Sequence, residues 1–289
     1  MPELPEVETV RRGLSSLIIG KVVTNETHDT AKGFPNAPSD VSSFLRGATI
    51  IAIRRRAKVL LIDLSSGYSL VIHLKMTGQL VYVAPNVRFG AGHPNDSLIN
   101  SLPDTSTRVT IEFSDGSTLF FNDQRKFGWV RLLPTIEVPN MDFMKKVGPE
   151  PLASQFTAMQ FQERFTRRKK TNIKAAILDQ SVVAGVGNIY ADESLWGAKI
   201  HPQRLVGTLT DDEFSALYTD LREVMNLAIE KGGSSNHTYV NAEGKKGSYM
   251  DFARAFRREG LPCPRCSTPI EKLRVAGRGT HICPQCQTI

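Results

Sequence analysis

Apolar residues recur at Val7, Val10, Leu14 and Leu17 with Glu8, Arg11 and Arg12 between them, a helical period that predicts an amphipathic helix near the start of the chain. Pro5 suits its first turn and Gly20 its stop. After Gly20 the pattern becomes that of strands and hairpins. Lys58 to Leu64 and Ser69 to Leu74 are apolar-rich and joined through Ser65-Ser66-Gly67, and Val109 to Phe113 and Thr118 to Asn122 flank Ser114-Asp115-Gly116-Ser117. These predict two hairpins in a β-rich domain, read as a sandwich. Between them, Ala84 to Thr107 is rich in Pro, Gly, Asn, Asp and Ser and reads as a surface insertion. Pro139, Gly148, Pro149 and Pro151 mark a boundary, after which helical patterning begins. There Thr210 to Glu213 forms a capping box, followed by Phe214, Leu217, Leu221, Val224, Met225 and Ala228 at helical spacing, with Gly232-Gly233 as the stop. The expected fold class is α+β. Its parts are an N-terminal helix and β-sandwich over 1–138, a linker over 139–151, a helical domain over 152–250 and a C-terminal hairpin over 251–289.

Charge changes the picture. The 289 residues include 36 Lys plus Arg against 29 Asp plus Glu, a net +7, with a pI near 9.3, which favours an anionic partner and puts nucleic acid first. No apolar run approaches a membrane span and the charged start does not resemble a signal peptide, so a cytoplasmic protein without a membrane partner is expected. The four cysteines form two matched knuckles, Cys263-Pro-Arg-Cys266 and Cys283-Pro-Gln-Cys286. That spacing fits one tetrahedral Zn2+ held by four thiolates, with no open position for catalysis, in preference to a redox pair.

The candidate chemistry begins at Pro2 and Glu3. Proline at the second position permits removal of Met1, leaving a secondary amine beside a carboxylate. Adding to C1′ of a deoxyribose, such an amine gives an iminium that cannot shed its charge and so draws electrons for phosphate elimination. The helix dipole disfavours the ammonium, while Glu3 and Glu6 pull the other way. On these residues alone an ordinary N-terminal amphipathic helix is the favoured reading, since helices beginning near prolines and glutamates are common. In His73-Leu-Lys-Met-Thr-Gly78, strict alternation puts His73, Lys75 and Thr77 on one face and Leu74 and Met76 on the other, which makes Met76 a core residue. Asp123-Gln-Arg-Lys-Phe-Gly128 is a turn in which basic residues precede an aromatic one. Arg54-Arg-Arg-Ala-Lys58 and the run containing Arg164, Arg167, Arg168, Lys169, Lys170 and Lys174 suit either phosphate contact or solvated faces. In Gly185-Val-Gly-Asn-Ile-Tyr190, Asn188 is placed to cap the next helix, with backbone amides meeting phosphate, although a tight turn fits too.

Pro2-Glu-Leu-Pro-Glu-Val-Glu8 resembles the N-terminus of the formamidopyrimidine-DNA glycosylases, and Gly185 to Glu193 resembles that family's helix-two-turn-helix element. The zinc hairpin fits the same family, so the resemblance spans nearly the whole chain. It implies excision of oxidised purines, 8-oxoguanine and formamidopyrimidines, from damaged duplex DNA, with β,δ-elimination through a Schiff base on an N-terminal proline. Pro2 becomes the nucleophile and Glu3 the acid/base, with Glu6 in the same catalytic helix. The resemblance reverses the reading of Met76, which would fill the gap left by the departing nucleotide in a segment where His73 also faces DNA. Arg125, Lys126 and Phe127 would form a wedge at the orphaned base. Lys58, Asn188 and Arg278 would hold phosphates. A monomer acting on bacterial nucleoid DNA is expected. Leu4 disfavours the sister branch, which usually carries Gly there and removes oxidised pyrimidines. A non-catalytic damage-binding zinc protein and a plain zinc-stabilised duplex binder would share the basic charge and the cysteine knuckles without needing a free Pro2 amine. Two departures stand out: Phe256-Arg257-Arg258 replaces the common Tyr-Gly-Arg, and Ser234 to Tyr249 keeps the spacing of a lesion-capping loop without a secure base contact.

Overall fold

Helix α1 spans Leu4–Ile18 and starts with a capping box, in which the Glu6 carboxylate accepts the Glu3 N–H at 2.8 Å and the Glu3 side chain accepts from the Glu6 backbone. Leu4, Val7, Val10, Leu14 and Ile18 are its buried face; Val7, Val10 and Leu14 follow the period, while Ile18 takes the buried place expected for Leu17, which is only partly buried. The helix lies close on the sheet because Gly13 has no side chain. A Cβ there would come within 2.1 Å of the Phe89 ring.

The structure is a computed structural model that describes residues 1–93, 95–234 and 248–289. The chain divides into two units, Met1–Lys145 with Lys231–Ser248, and Lys146–Glu230 with Tyr249–Ile289. Most of the expected lesion-capping loop, 235–247, lies outside the described residues.

The first unit is a sandwich of nine antiparallel strands: β1 Val23–His28, β2 Ile50–Arg56, β3 Val59–Leu64, β4 Tyr68–His73, β5 Gly78–Ala84, β6 Val87–Gly92, β7 Thr107–Phe113, β8 Thr118–Asp123 and β9 Trp129–Pro134. One sheet has the order β1-β7-β8-β5-β6 and the other β2-β3-β4-β9. Ile53, Leu60, Ile62, Leu70 and Ile72 from the smaller sheet share one core with Leu80, Tyr82, Phe89, Ile111 and Phe121 from the larger and with α1. Each such side chain contributes roughly 1.5–3 kcal/mol by leaving water.

Two sequence expectations need correction here. Strand β3 begins at Val59, because Ala57-Lys58 is the turn of the β2–β3 hairpin. The stretch from Ala84 to Thr107 also contains an edge strand, β6, which Gly90, Gly92 and exposed Val87 conceal in a period-based reading. The remainder of the insertion is tied down: Arg88 donates to the carbonyls of Leu98, Ser97 and Asn100 at 2.8, 3.2 and 2.6 Å, and Leu98 packs with Val81 and Phe120.

The second unit carries helices α2 Ala158–Glu163, α3 Ile173–Leu178, α4 Asn188–Gly197 and α5 Asp211–Glu230, then the hairpin of β10 Glu271–Val275 and β11 Arg278–Ile282. The predicted capping box starts α5, with Thr210 N–H on Glu213 at 2.8 Å and Glu213 N–H on Thr210 Oγ1 at 3.2 Å. All six residues predicted for its apolar face are buried.

Arg257 has φ +58, a left-handed backbone that glycine adopts without steric cost. A non-glycine residue in that region costs about 1–2 kcal/mol. Arg257→Gly is expected to raise folding stability by roughly 1 kcal/mol, less the unfolded-state entropy that glycine adds. Urea midpoints check this, and a lower midpoint would show that the stacking of Arg257 on Phe256, at 5.8 Å, outweighs the strain.

Candidate active site

Helix α1 runs antiparallel to β2: Gly20 N–H, past its C-terminus, donates to Ile50 O at 2.8 Å, and Glu8, near its N-terminus, meets Arg55 at 3.3 Å. Pro2 and Glu3 are thereby brought to the end of the sandwich that holds the β2–β3 turn. Pro2 is buried, Glu3 is 3% exposed, and Met1 projects outward with 44% exposure. Glu6 is buried as well, and its two oxygens do different jobs. Oε2 holds the Glu3 N–H, while Oε1 accepts the N–H of Ser234 at 2.8 Å. Gly233, at φ +87, permits that approach, since a Cβ would sit 3.3 Å from Glu6 Oε1. Glu6 therefore fixes the backbone that carries Pro2 and Glu3. Burial pushes the Glu8 carboxyl up, but hydrogen bonds from Arg11 and Arg12 and the charge of Arg55 outweigh it and hold the group below its ordinary pKa.

Lys58 occupies the same end of the sandwich, buried in the turn after Ala57. Register then brings in His73, because Val59 pairs with His73 and His73 with Trp129. The imidazole is buried against Trp129 and Phe143, with ring centroids at 5.8 and 5.9 Å. Burial, aided by the positive charges of Lys75 and Lys58, lowers its pKa to about 3. Nδ1 accepts the Lys75 N–H at 3.0 Å, which leaves the proton on Nε2 and makes His73 a neutral donor.

A depressed folded pKa makes the unfolded chain the stronger proton binder, so this stability is present above about pH 6.5 and is lost as pH falls toward 3. Between pH 7.5 and 5 the wild-type protein is expected to lose roughly 2 kcal/mol more stability than His73→Gln. Urea unfolding at both pH values measures this; equal losses would exclude a buried neutral imidazole.

Strand alternation stops at His73. Lys75 to Thr77 form a turn with Lys75 at φ +50; Leu74 and Thr77 are buried, and Met76 is half-buried at the turn, outside the core. The assignment of Met76 to an inward strand face is thus overturned: Gly78 folds the chain tightly enough that a Cβ would lie 2.3 Å from the Leu74 carbonyl oxygen. The second turn follows β8, whose last residue, Asp123, pairs with Gly78. Arg125, Lys126 and Phe127 are exposed, Phe127 by 47%, and the Arg125 guanidinium lies 4.9 Å from the Phe127 ring centre. Lys126, at φ +55, comes within 3.7 Å of Asp29. Ala57, Lys75 and Lys126, each left-handed, immediately precede Lys58, Met76 and Phe127. Such strain is held where side-chain direction matters more than local stability.

In the second unit, Gly187 is the N-cap of α4 and Asn188 is its first helical residue. Asn188 does not cap; its Nδ2 donates to Gly279 O at 2.9 Å, on the hairpin. Lys174, read from sequence as part of a basic run, is fully buried. Its Nζ donates to Asp192 at 2.6 Å, Thr280 Oγ1 at 2.6 Å and Gly279 O at 3.2 Å, and Asp192 also accepts the His281 N–H at 3.0 Å. Removing one partner of such a pair costs roughly 3–5 kcal/mol. The network locks β11 to α3 and α4, and Arg278, exposed, opens that strand directly after the Ala276-Gly277 turn. Glu193 is a further buried carboxylate, holding the Tyr249 hydroxyl at 2.9 Å and the N–H groups of Arg254, Ala255 and Phe256 at 2.8, 2.8 and 2.7 Å. Sequence reasoning missed Lys174, Asp192 and Glu193 as anchors; their partners are distant along the chain and no local pattern marks them.

The sulfurs of Cys263, Cys266, Cys283 and Cys286 all lie within 4.8 Å of one another, with Cys266 3.4 Å from Cys283 and 3.5 Å from Cys286. Four sulfurs about 2.3 Å from a tetrahedral zinc stand close to these separations. Burial pushes the Cys283 thiol up to about 12, while hydrogen bonds from Thr268 bring Cys266 down to about 6. The donor set fits one structural zinc. Among the described residues no helix is long and apolar enough to cross a membrane.

A helix-capped β-sandwich with a proline at position 2 just ahead of its first helix, joined in one chain to a helical domain and a four-cysteine hairpin, defines a DNA glycosylase of the helix-two-turn-helix class. Family models match in that order: the formamidopyrimidine-DNA glycosylase N-terminal domain over residues 1–130, its H2TH domain over 147–240, and a zinc finger found in FPG and IleRS over 260–289. The chain belongs to the formamidopyrimidine-DNA glycosylase family. It is 43% identical to the formamidopyrimidine-DNA glycosylase of Pediococcus pentosaceus over 289 residues, covering 100% of both chains, and 40% identical to that of Streptococcus mutans, covering 99% of both. Among solved structures it resembles a Lactococcus lactis FPG mutant in complex with Fapy-dG-containing DNA, with a TM-score of 0.87, 34% identity and 100% coverage of both chains. It also resembles the MutM (FPG) protein of Thermus thermophilus, with a TM-score of 0.83, 37% identity and 99% and 98% coverage. The protein is a DNA-repair enzyme, a glycosylase for oxidised purines with an associated lyase, and it carries one structural zinc.

Proposed function

We propose that Pro2, once Met1 is removed, is the nucleophile for both steps. Its nitrogen bonds to C1′ as the bond from C1′ to the damaged base breaks, and the base leaves with a proton. Ring opening gives an iminium, loss of a C2′ proton expels the 3′ phosphate, loss of the C4′ proton expels the 5′ phosphate, and water then hydrolyses the iminium to release an unsaturated aldehyde and free the Pro2 amine. Glu3 moves protons during base loss and ring opening. The observation that carries this reading is the burial of Pro2 and Glu3 at the N-terminus of α1, with Glu6 fixing the backbone between them. Met76 fills the vacated stack, while Arg125 and Phe127 meet the orphaned base and Lys126 lies near phosphate. Apolar insertion of this kind offsets an unstacking cost of a few kcal/mol. Lys58, neutral His73, Asn188 and Arg278 hold the backbone. The substrates are 8-oxoguanine and formamidopyrimidines paired with cytosine in double-stranded DNA. The enzyme acts as a monomer on nucleoid DNA in the bacterial cytoplasm, a setting its net charge of +7 suits.

Glu3→Gln tests the assignment, since it removes a proton carrier and little contact area. Single-turnover excision is expected to fall by about a hundredfold or more while affinity for the lesion duplex stays nearly constant. Equal losses in both would assign Glu3 to binding, and faster excision of thymine glycol than of 8-oxoguanine by the unmutated enzyme would overturn the substrate class.

A further inference from the structure

The turn bearing Met76 and the turn bearing Arg125 and Phe127 converge on one buried carboxylate. Asp123 is 0% exposed. Its Oδ2 accepts the N–H groups of Phe127 and Gly128 at 2.8 and 2.6 Å, and its Oδ1 accepts the Arg125 N–H at 3.2 Å. The same Oδ1 accepts the hydroxyl of Thr77, whose oxygen in turn accepts the Arg125 N–H at 3.2 Å. Arg108 braces this corner by donating to the Asp123 carbonyl at 2.8 Å and to Asp29 at 2.6 Å. The packing leaves no slack: a Cβ on Gly128 would stand 2.6 Å from the Phe121 ring and 3.1 Å from both Asp123 Oδ2 and His73 O.

We propose that Thr77 and Asp123 are positioning residues that couple the two turns, so that Met76 and the Arg125–Phe127 wedge enter the duplex as one unit. The proposal rests on the reading of Met76, Arg125 and Phe127 as stack-filling groups. Its physical basis is preorganisation. Each inserted side chain works against unstacking, and an exposed turn that moved alone would also lose its own freedom on insertion. Asp123 uses three backbone bonds to shape its own turn. The fourth, from Thr77, is a side-chain link to the other turn, beyond the β5–β8 ladder that holds their roots. Insertion of one turn therefore presents the other already in place.

Thr77→Val keeps size and branching and removes the link, while Thr77→Ser retains the hydroxyl. Losing a buried hydrogen bond to a carboxylate is expected to slow single-turnover excision from a lesion duplex by about tenfold with Val, with Ser recovering most of the rate. Strand cleavage at a preformed abasic site is expected to change by less than about twofold, because no base remains to be extruded. Met76→Ala and Phe127→Ala, combined, should be strongly non-additive for duplex excision in the wild-type background and additive in the Val background. Duplex excision by Thr77→Val at the wild-type rate, parallel loss at the abasic site, or additivity in the wild-type background would each overturn the coupling. If Met76→Ala and Phe127→Ala are individually silent, the stack-filling reading itself fails; if they are harmful while Thr77→Val is silent, only the coupling fails. Should Thr77→Val not fold, Thr77→Ala takes its place in the same comparison.

Discussion

Borohydride added during reaction with an 8-oxoguanine duplex is expected to trap the DNA covalently on the N-terminal peptide, at Pro2, and an enzyme that retains Met1 is expected to trap none. Only a free amine can form the iminium that the hydride reduces, because an acylated proline nitrogen has no available lone pair. Retaining Met1 or adding one N-terminal residue should therefore reduce strand cleavage by at least about a thousandfold, the scale seen when a covalent nucleophile is lost. Binding should change far less, since Met1 already projects outward while Pro2 and Glu3 are buried at the helix start. Intact mass and peptide mapping of the adduct provide the measurement. An adduct on Lys58 or another lysine would move the nucleophile and dismantle the assignment of Pro2.

Cys283→Ser is expected to release the zinc and, with it, most affinity for the lesion duplex. The hairpin has little core of its own: Cys263, Cys283, Ile270, Ala255 and Trp196 form a small cluster around the thiols. For a segment this small, metal binding supplies much of the folding free energy, on the order of 10 kcal/mol in zinc-finger peptides. Losing it frees Arg278 at the hairpin tip and strands buried Lys174 and Asp192, whose partners Gly279, Thr280 and His281 are on β11. Metal analysis should give one zinc per wild-type chain, and binding should weaken by about a hundredfold or more, equivalent to losing several phosphate contacts. Full affinity in a zinc-free variant would show that the hairpin holds its shape without metal.

Much of this was legible because it is written in short-range chemistry. The period of α1, the Thr210–Glu213 capping box, the α5 face and the two cysteine knuckles depend on residues within a few positions of one another. Their outcomes followed from spacing alone. Strand β6 was hidden because two glycines and an exposed valine break its alternation, and only pairing with β5 identifies it as a strand. Met76 was misplaced by local pattern: it sits half-buried in a turn, outside the core. Alternation cannot register a turn imposed by the tight approach of Gly78 to Leu74.

The sequence by itself determined which reactive groups exist and which local elements carry them: a proline and a glutamate ahead of a helix, a basic-aromatic turn, a glycine-rich turn before a helix, and four thiols at zinc spacing. Tertiary structure decided what the charged residues do. Glu6 takes Ser234 as a partner 228 positions away, Asp123 takes Thr77 across 46, and Lys174 takes Thr280 across 106. A carboxylate or ammonium has one composition in solvent and in the interior. Its role depends on whether folding removes water from it and which opposite dipoles replace that water, and those dipoles come from chain segments that only the completed fold brings together.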